Sequence, residues 1–297
     1  MSERFVSRGM VGPRHPADKA GQSTGQRLPV LSATHLRQAR DEARAVHTAP
    51  DWQMATVTAV RLETPTVKTF TLSLPVWRPH RPGQNYTVRL ADEDGHWVLR
   101  SYSIASEPER TGAIDLTIER IEAGAVSRQL HDVIGPGDRI EVRGPTGNYF
   151  VWEATLPEPL LLVAGGTGVV PLMSMLRHRA AAKATAPARL LYSSQTLGDI
   201  IYREELARLQ DGQTNLAIFH TLTATHPAGW KGYTRRIDQA MLDEVAGPLG
   251  GSAQAFICGP RPLVETVAAG LVRLGLPPAQ IRAEQYGPNN PVEAEPL

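Results

Sequence analysis

Residues 160–182, "LLLVAGGTGVVPLMSMLRHRAAA", decide the fold that the sequence predicts. The first residues form a continuous apolar run, which is typical of a strand buried on both faces of a sheet. Glycines at positions 165, 166 and 168 end this run. The next residues have the pattern of a helix, in which Pro171 is tolerated because it lies in the first turn. The stretch therefore predicts a buried strand that leads directly into a helix.

The same alternation of strand and helix recurs toward the end of the chain. Predicted strands are "ARLLYSS" (188–194), "LAIFHTL" (216–222), "AQAFICG" (253–259) and "IRAEQYG" (281–287). Predicted helices are "IIYREELARL" (200–209), "IDQAMLDEVA" (237–246) and "PLVETVAAGLVRLG" (262–275). Such alternation indicates a parallel sheet with helices on both faces. We therefore expect a doubly wound α/β domain over residues 156–297.

Shorter strands precede this domain. They alternate apolar and polar residues and are separated by turn stretches such as "RPGQ" and "ERTG"; examples are "FTLSL" (70–74), "YTVRL" (86–90), "IDLTI" (114–118) and "RIEVRG" (139–144). Several short strands at regular spacing are typical of a small antiparallel barrel. We expect this barrel over residues 52–155. Residues 1–51 are polar and rich in Gly, Pro and Ser, so we predict a disordered extension there.

Length and composition restrict the class of protein. A chain of 297 residues with 41% hydrophobic and 21% charged residues is typical of a globular protein with two domains. The net charge of +1 indicates no bulk attraction to nucleic acid or to a membrane. We find neither an apolar run of membrane-spanning length nor a secretory h-region, so the sequence predicts a cytoplasmic protein.

Cysteine and histidine usage excludes two kinds of site. The one cysteine, Cys258, excludes a disulfide within the chain and an iron–sulfur cluster held by four thiolates of this chain. The nine histidines show neither an HExxH motif nor a paired metal spacing. We therefore expect no metal site.

The strand ends of the α/β domain carry the candidate ligand residues, because open parallel sheets bind ligands beyond these ends. In "AGGTG" (164–168), Gly165, Gly166 and Gly168 leave the backbone bare just before a helix. Free N–H groups and the positive end of the helix dipole suit an anion, most naturally a pyrophosphate. The stretch is not the GxGxxG fingerprint, and a tight turn without a ligand explains it equally well.

The predicted barrel offers a second group of candidates in "RSYSIAS" (100–106). Arg100 is able to pair with a phosphate, Tyr102 to stack on a ring and Ser103 to hydrogen-bond to a ring nitrogen. A polar strand end with a half-buried tyrosine is the alternative. Downstream, "GAVS" (124–127) begins a helical pattern and offers another pyrophosphate site, although Ser127 also fits a plain helix cap.

The order of these motifs resembles that of the ferredoxin–NADP reductase superfamily. Arg-x-Tyr-Ser, Gly-x-Val-Ser, "GPTGNYF", "AGGTGVVPL" and "CGP" follow one another in register over about residues 52–287. The resemblance implies that the barrel binds FAD and the α/β domain binds NADH or NADPH. It also implies an FAD-dependent NAD(P)H oxidoreductase that passes electrons to a separate acceptor, a ferredoxin or an oxygenase component. A free-standing flavin or quinone reductase, and a non-catalytic flavin-bound sensor or subunit, are the alternatives.

The resemblance also assigns roles to residues. Arg100 binds the flavin phosphate, Tyr102 stacks against the isoalloxazine and Ser103 lies near flavin N5. The predicted catalytic residues are Ser103, Cys258 beside the nicotinamide, and Tyr286, which covers the flavin ring unless it is an ordinary strand-end aromatic. The remaining cofactor-binding residues are, for the flavin phosphate, Gly124, Val126 and Ser127, and, for the nicotinamide cofactor, Gly165, Gly166, Thr167, Gly168, Cys258, Gly259 and Pro260.

Coenzyme choice depends on cations near the 2′-phosphate of NADPH. Relatives that prefer NADPH commonly place arginine where this chain has Gln195 and Ala224, and Asp199 adds a negative charge. The sequence therefore favours NADH. Four cationic residues nearby are the candidates to bind the 2′-phosphate in place of the missing arginines: Arg203, Lys231, Arg235 and Arg236.

Overall fold

A computed structural model describes residues 50–91 and 95–286 of the chain. The extension predicted over residues 1–51 lies outside the described residues except for its last two. Two sheets form the described part, one antiparallel with six strands and one parallel with five. The predicted fold class, a barrel followed by a doubly wound α/β domain, is confirmed.

The antiparallel sheet forms the barrel. Its strands are β1 (Gln53–Thr64), β2 (Val67–Ser73), β3 (Asn85–Ala91), β4 (Trp97–Ser103), β5 (Ala113–Glu119) and β6 (Arg139–Thr146), and helix α1 (Ala125–Asp132) lies between β5 and β6. The strand order is β4-β3-β6-β1-β2-β5. Ile104, directly after β4, forms a bridge to Leu116 of β5 and closes the sheet. The predicted period of two is visible in the apolar residues that alternate into the core.

The parallel sheet begins with the stretch that opened the sequence analysis. Its strands are β7 (Leu160–Gly165), β8 (Ala188–Ser194), β9 (Leu216–Leu222), β10 (Gln254–Pro260) and β11 (Ile281–Tyr286), in the order β11-β10-β7-β8-β9. Its helices are α2 (Val169–Ala181), α3 (Arg203–Asp211), α4 (Gln239–Ala246) and α5 (Arg261–Arg273). β7 lies in the centre, which is why all six of its residues are buried.

Helix α3 begins three residues later than predicted, at Arg203 instead of residue 200. Ile200 and Ile201 are buried, and Tyr202 has a left-handed backbone with φ of 59°. A regular helix would distribute three consecutive side chains around its axis. The left-handed residue lets all three enter the same core, a tertiary effect that periodicity does not reveal.

The segment between β6 and β7 connects the two domains. Phe150 and Trp152 are nearly inaccessible and pack in the core of the α/β domain, together with Val67 and Ala105 of the barrel region. The predicted boundary at residues 155/156 stays a prediction. The two domains share one of their hydrophobic cores across this junction.

Gly83 determines how closely this segment approaches the barrel. Its φ is +96°, and a Cβ at this position would lie 1.8 Å from the carbonyl oxygen of Phe150. We expect Gly83→Ala to lower the free energy of unfolding by about 3 kcal/mol, from backbone strain and a clash that no rotamer relieves.

Gly112→Ala is the matched control, since Gly112 has φ of +79° but no atom within 4 Å of the added Cβ. It isolates the backbone strain, about 1 kcal/mol. Urea denaturation of both variants measures the difference. Equal losses of unfolding free energy in the two variants would show that the close approach to Phe150 does not contribute to stability.

Candidate functional site

The end of β4 places the first predicted residues on an incompletely paired strand. Arg100 and Tyr102 lie opposite Val88 and Tyr86 of β3, whose side chains face the barrel core. The other side of β4 has only the single bridge from Ile104. Arg100 is accordingly exposed, and Tyr102 is half-buried. Within the described residues, the Arg100 guanidinium donates only to the carbonyl of its neighbour at 99, 2.7 Å away, so it is available to an anion.

Burial raises the pKa of the Tyr102 hydroxyl well above its usual value of 10.0. The ring is therefore neutral at physiological pH and suits stacking on a flat ligand. Ser103 lies opposite Asn85 and is half-buried. The structure thus brings the three β4 residues to one strand end, while their assigned roles stay predictions.

Helix α1 offers its N-terminus without a protein cap. Gly124 is the N-cap, no side chain caps the helix, and its first turn holds no acidic residue. Ser127 is buried and its hydroxyl donates to the carbonyls of Gly124 and Ile121, 3.2 and 3.4 Å away. Val126 is 2% exposed. The Ser127 hydroxyl is thus already hydrogen-bonded within the preceding turn. The groups that remain to bind an anion are the backbone N–H groups at the start of the helix.

The glycine turn, residues 165–168, packs against the end of β10. A Cβ on Gly168 would lie 2.0 Å from the carbonyl oxygen of Cys258, and Gly165 lies close to Gly259 and Pro260. The turn also contacts β5 of the barrel. The structure therefore brings together the residues predicted for the nicotinamide cofactor, at the border with the predicted flavin domain.

Tyr286 lies on this glycine turn. Its hydroxyl donates to the carbonyl of Gly165 over 2.5 Å. Burial of the hydroxyl raises its pKa to about 12, although the whole residue is 36% exposed. A Cβ on Gly166 would lie 2.8 Å from this hydroxyl oxygen, so Tyr286 limits the space beside the turn. The predicted role of Tyr286 as a cover for the flavin ring stays a prediction.

Cys258 has a half-buried acidic neighbour to which the sequence analysis assigned no role. Glu284 of β11 lies directly opposite Cys258 of β10. Burial, followed by the nearby Glu284 carboxylate, raises the pKa of the Cys258 thiol, so the thiol is neutral. Burial raises the pKa of Glu284 from 4.5 to about 7. Sequence periodicity shows neither pairing nor register, so only the folded sheet reveals this pair.

The loops after β8 and β9 lie at the other end of the predicted coenzyme site. Asp199 accepts hydrogen bonds from the backbone and hydroxyl of Thr196, 3.0 and 2.6 Å away. Arg235 is paired with Asp238 at 2.6 Å. Arg203 lines a cleft of about 340 Å³ between the two domains. Arg235 is thus partly neutralised, while Arg203 faces open space.

Comparison with known families and proteins identifies the chain. Residues 54–151 match the family described as "Oxidoreductase FAD-binding domain", and residues 162–269 match "Oxidoreductase NAD-binding domain". Ferredoxin–NADP reductase B of Sorangium cellulosum is 39% identical over 197 residues, which cover 65% of this chain and 80% of that protein. The chain belongs to the ferredoxin–NADP reductase superfamily. As a member of this superfamily, it has FAD and a nicotinamide nucleotide as its cofactors.

Other relatives extend this comparison. The glycine betaine monooxygenase reductase subunit of Pseudomonas aeruginosa is 32% identical over 233 residues, 77% of this chain; the match spans 63% of that relative's length. The FAD/NAD-binding domain of a Vibrio cholerae nitric oxide dioxygenase has a TM-score of 0.73 at 21% identity, covering 80% of this chain and 99% of that one. A ferredoxin–NADP⁺ reductase from Neisseria gonorrhoeae has a TM-score of 0.66 at 20% identity, covering 79% and 98%. These structural likenesses show the fold.

The residues of this superfamily member fit both cofactors. The helices that begin at the two predicted phosphate sites, α1 and α2, lack a capping side chain and an acidic residue in the first turn. By contrast, α3 begins with Glu204 and Glu205, and α4 is capped by Asp238, whereas α5 shares the uncapped start of α1 and α2. Two uncapped helix N-termini suit the diphosphates of FAD and of a nicotinamide nucleotide. In the described part of the chain, no His, Cys, Asp or Glu cluster suits a metal ion and no helix suffices to span a membrane.

The raised pKa of Glu284 predicts a pH dependence of stability. Between pH 4.5 and about 7 the folded protein binds more protons at this carboxyl than the unfolded chain does, so stability falls as pH rises through that window. We expect Glu284→Gln to remove this fall, a relative gain on the order of 2–3 kcal/mol from pH 4 to pH 8.

Denaturation of the cofactor-free protein at several pH values measures this gain. Glu265→Gln on the exposed face of α5 is the control and leaves the pH profile of the parent unchanged. Parallel pH profiles for the parent and Glu284→Gln would contradict the burial of this carboxyl.

Proposed function

We propose that this chain is an FAD-dependent NAD(P)H oxidoreductase that passes electrons from a nicotinamide nucleotide through FAD to a separate protein acceptor. The observation that carries the proposal is the position of the glycine turn. It contacts the end of β10, with Cys258, on one side and β5 of the barrel on the other. The turn predicted to bind the coenzyme thus borders the predicted flavin domain, as a transfer between two rings requires. A cytoplasmic location is part of the same proposal.

The residues of the chain bind and orient in this mechanism. Arg100 and the α1 N-terminus hold the phosphates of FAD, and the neutral Tyr102 ring packs against its flat part. The glycine turn holds the diphosphate of the nicotinamide nucleotide, once the hydrogen bond from Tyr286 to the Gly165 carbonyl is released. Bound FAD supplies a ring that accepts a hydride and releases electrons singly or in pairs. No protein acid or base is required for the hydride transfer.

The neutral thiol of Cys258 and the carboxyl of Glu284 border the place where the two rings meet. The thiol is a small contact, not a nucleophile, because burial keeps it protonated. Glu284, with a pKa of about 7, holds a proton next to Cys258 in part of the molecules at neutral pH. The thiol therefore adds no charge to a site that must exclude water, and the carboxyl adds less than a full negative charge.

The names of the relatives support a separate acceptor. Several are named as reductase components of oxygenase systems, among them the ferredoxin reductase component of 3-ketosteroid-9-alpha-monooxygenase and the propane 2-monooxygenase reductase component. The 297 residues hold one cysteine, so a four-thiolate iron–sulfur cluster on the electron path lies outside them. We propose a ferredoxin or an oxygenase component as the acceptor.

Two alternatives make different predictions. A free-standing flavin or quinone reductase uses both cofactor sites but reduces a small molecule. A non-catalytic flavin-bound sensor or subunit does not need a nicotinamide site, and the match over residues 162–269 argues against it. Anaerobic addition of NADH or NADPH tests catalysis, because reduction bleaches the yellow flavin. A flavin that stays oxidised contradicts the proposal. If free flavin or quinone reoxidises the reduced protein faster than a ferredoxin does, the first alternative, a free-standing reductase, is favoured.

Arg100 provides a test of the flavin site. We expect Arg100→Ala to remove a charge-assisted phosphate contact worth roughly 1.5–3 kcal/mol, and so to weaken FAD binding about tenfold to a hundredfold. Arg139→Ala, at the exposed start of β6, is the matched control and retains the affinity of the parent. Fluorescence titration of the cofactor-free proteins with FAD measures both. Unchanged affinity in Arg100→Ala would remove this residue from the phosphate site.

We expect the protein to prefer NADH to NADPH as its coenzyme. The side chain of Gln195 carries no charge, Asp199 adds a negative one, and Asp238 partly neutralises Arg235. A missing charge-assisted contact is worth roughly 1.5–3 kcal/mol, about a tenfold or greater preference. Steady-state kcat/KM values with NADH and NADPH decide this. A higher value for NADPH would contradict the prediction, and Arg203→Ala and Arg236→Ala would then identify the cation that binds the 2′-phosphate.

A further inference from the structure

Arg177 of α2 lies at the centre of a buried cluster that joins the two domains. Its guanidinium donates to both carboxylate oxygens of Glu205 in α3, at 2.8 and 2.7 Å. It also donates to the carbonyl of Ala105, 2.8 Å away, just after β4 of the barrel. Only 9% of its side chain is exposed. One residue therefore fixes two helices of the α/β domain to the strand end that carries the predicted flavin residues.

Neighbouring contacts cross the same junction. Ser174, one turn earlier on the same face of α2, donates to the carbonyl of Ser106 over 2.6 Å. The ring of Tyr202 lies under the Arg177 guanidinium, with its centroid 5.1 Å away, and its hydroxyl donates to Thr117 of β5. Helix α2 is thus held to two successive carbonyls after β4, and the segment before α3 is held to β5.

The backbone of Tyr202 shows that this geometry is enforced. Its φ of 59° is unfavourable for a residue with a Cβ, by roughly 1–2 kcal/mol. Such strain persists only where the surrounding contacts determine the conformation. A buried ion pair is by itself a weak source of stability, since apolar residues of similar volume often stabilise as well or better. The cluster therefore matters less for stability than for the relative orientation of the two domains that it imposes.

The cluster lies a short distance from both predicted cofactor sites. From Val169, directly after the glycine turn, α2 rises about 12 Å to Arg177. Ala105 is about 7 Å along the chain from Ser103. A helix and a strand transmit displacements as stiff elements. A rotation of α2 by about 5° around Arg177 moves the glycine turn by about 1 Å, a displacement able to slow a positioned reaction about a hundredfold.

We propose that Arg177 is a positioning residue that, through Glu205 and the Ala105 carbonyl, sets the spacing and angle between the nicotinamide and flavin rings. This inference rests on the proposed function. The reaction oxidises NAD(P)H to NAD(P)⁺ and reduces FAD with the same two electrons and one proton. Arg177 contacts neither predicted ring site, so its effect is confined to geometry. We therefore expect its loss to change the rate of transfer and not the affinity for either cofactor.

The test compares Arg177→Met, Arg177→Lys and Glu205→Gln with the parent, all loaded with FAD. Arg273→Met, on the exposed face of α5, is the matched control. Stopped-flow absorbance gives the limiting rate of flavin reduction and the coenzyme concentration at half that rate. We expect Arg177→Met to lose about tenfold to a hundredfold in limiting rate. The half-saturating concentration and the FAD affinity stay within twofold, Arg177→Lys recovers part of the rate, and Arg273→Met equals the parent.

A second readout does not depend on activity. Spin labels on Ser73→Cys in the barrel and Thr214→Cys in the α/β domain report the distance between the domains, while the buried Cys258 stays unlabelled. We expect a broader or shifted distance distribution in Arg177→Met and Glu205→Gln than in the parent. If Arg177→Met fails to fold, the lysine and glutamine variants decide by the same criteria.

The outcomes separate the two proposals. A parent whose flavin is not reduced by NADH or NADPH refutes the proposed function, and with it the role of Arg177 in transfer. A parent that is reduced, together with an Arg177→Met variant of equal rate and equal distance distribution, overturns the positioning role alone. A rate loss that follows loss of FAD or of coenzyme affinity also overturns it.

Discussion

The absence of a side chain at position 168 is the constraint on which the site depends. Helix α2 begins against the carbonyl of Cys258, at a distance that leaves no room for a Cβ. Because the helix starts there, the glycine turn contacts both β10 and β5. The same start fixes where Ser174 and Arg177 meet the barrel. One close approach thus aligns the phosphate turn, the cysteine strand and the domain junction.

Neutral side chains and positively charged groups both lie around the glycine turn and the end of β4. Burial raises the pKa values of Tyr102, Cys258 and Glu284, so the first two are neutral at physiological pH and Glu284 is protonated in part of the molecules. Positive potential comes from Arg100 and from the N-termini of α1 and α2. These groups suit the phosphates, and the neutral ring of Tyr102 suits the flat part, of the cofactors that we propose at these positions.

The sequence predicted the elements far better than it predicted their contacts. "LAIFHTL" coincides with β9, and the run that opens the parallel sheet coincides with β7, since both signals are local. The start of α3 was wrong by three residues because burial in a shared core overrides helical periodicity. The Ser127 hydroxyl is used within its own turn, which the motif does not reveal. Arg177 gave no signal, because its partners lie 72 and 28 residues away in the chain.

The core shared by the two domains has a consequence for folding. Phe150 and Trp152 belong to the segment that follows the barrel, yet they are buried among residues of α2, β8 and β10. A fragment that ends after the barrel would therefore expose two large aromatic side chains to water, with an apolar surface prone to association. The α/β half would in turn lose part of its own core lining. Although each half has its own sheet, neither completes its interior alone, so we expect the two halves to unfold as one cooperative unit.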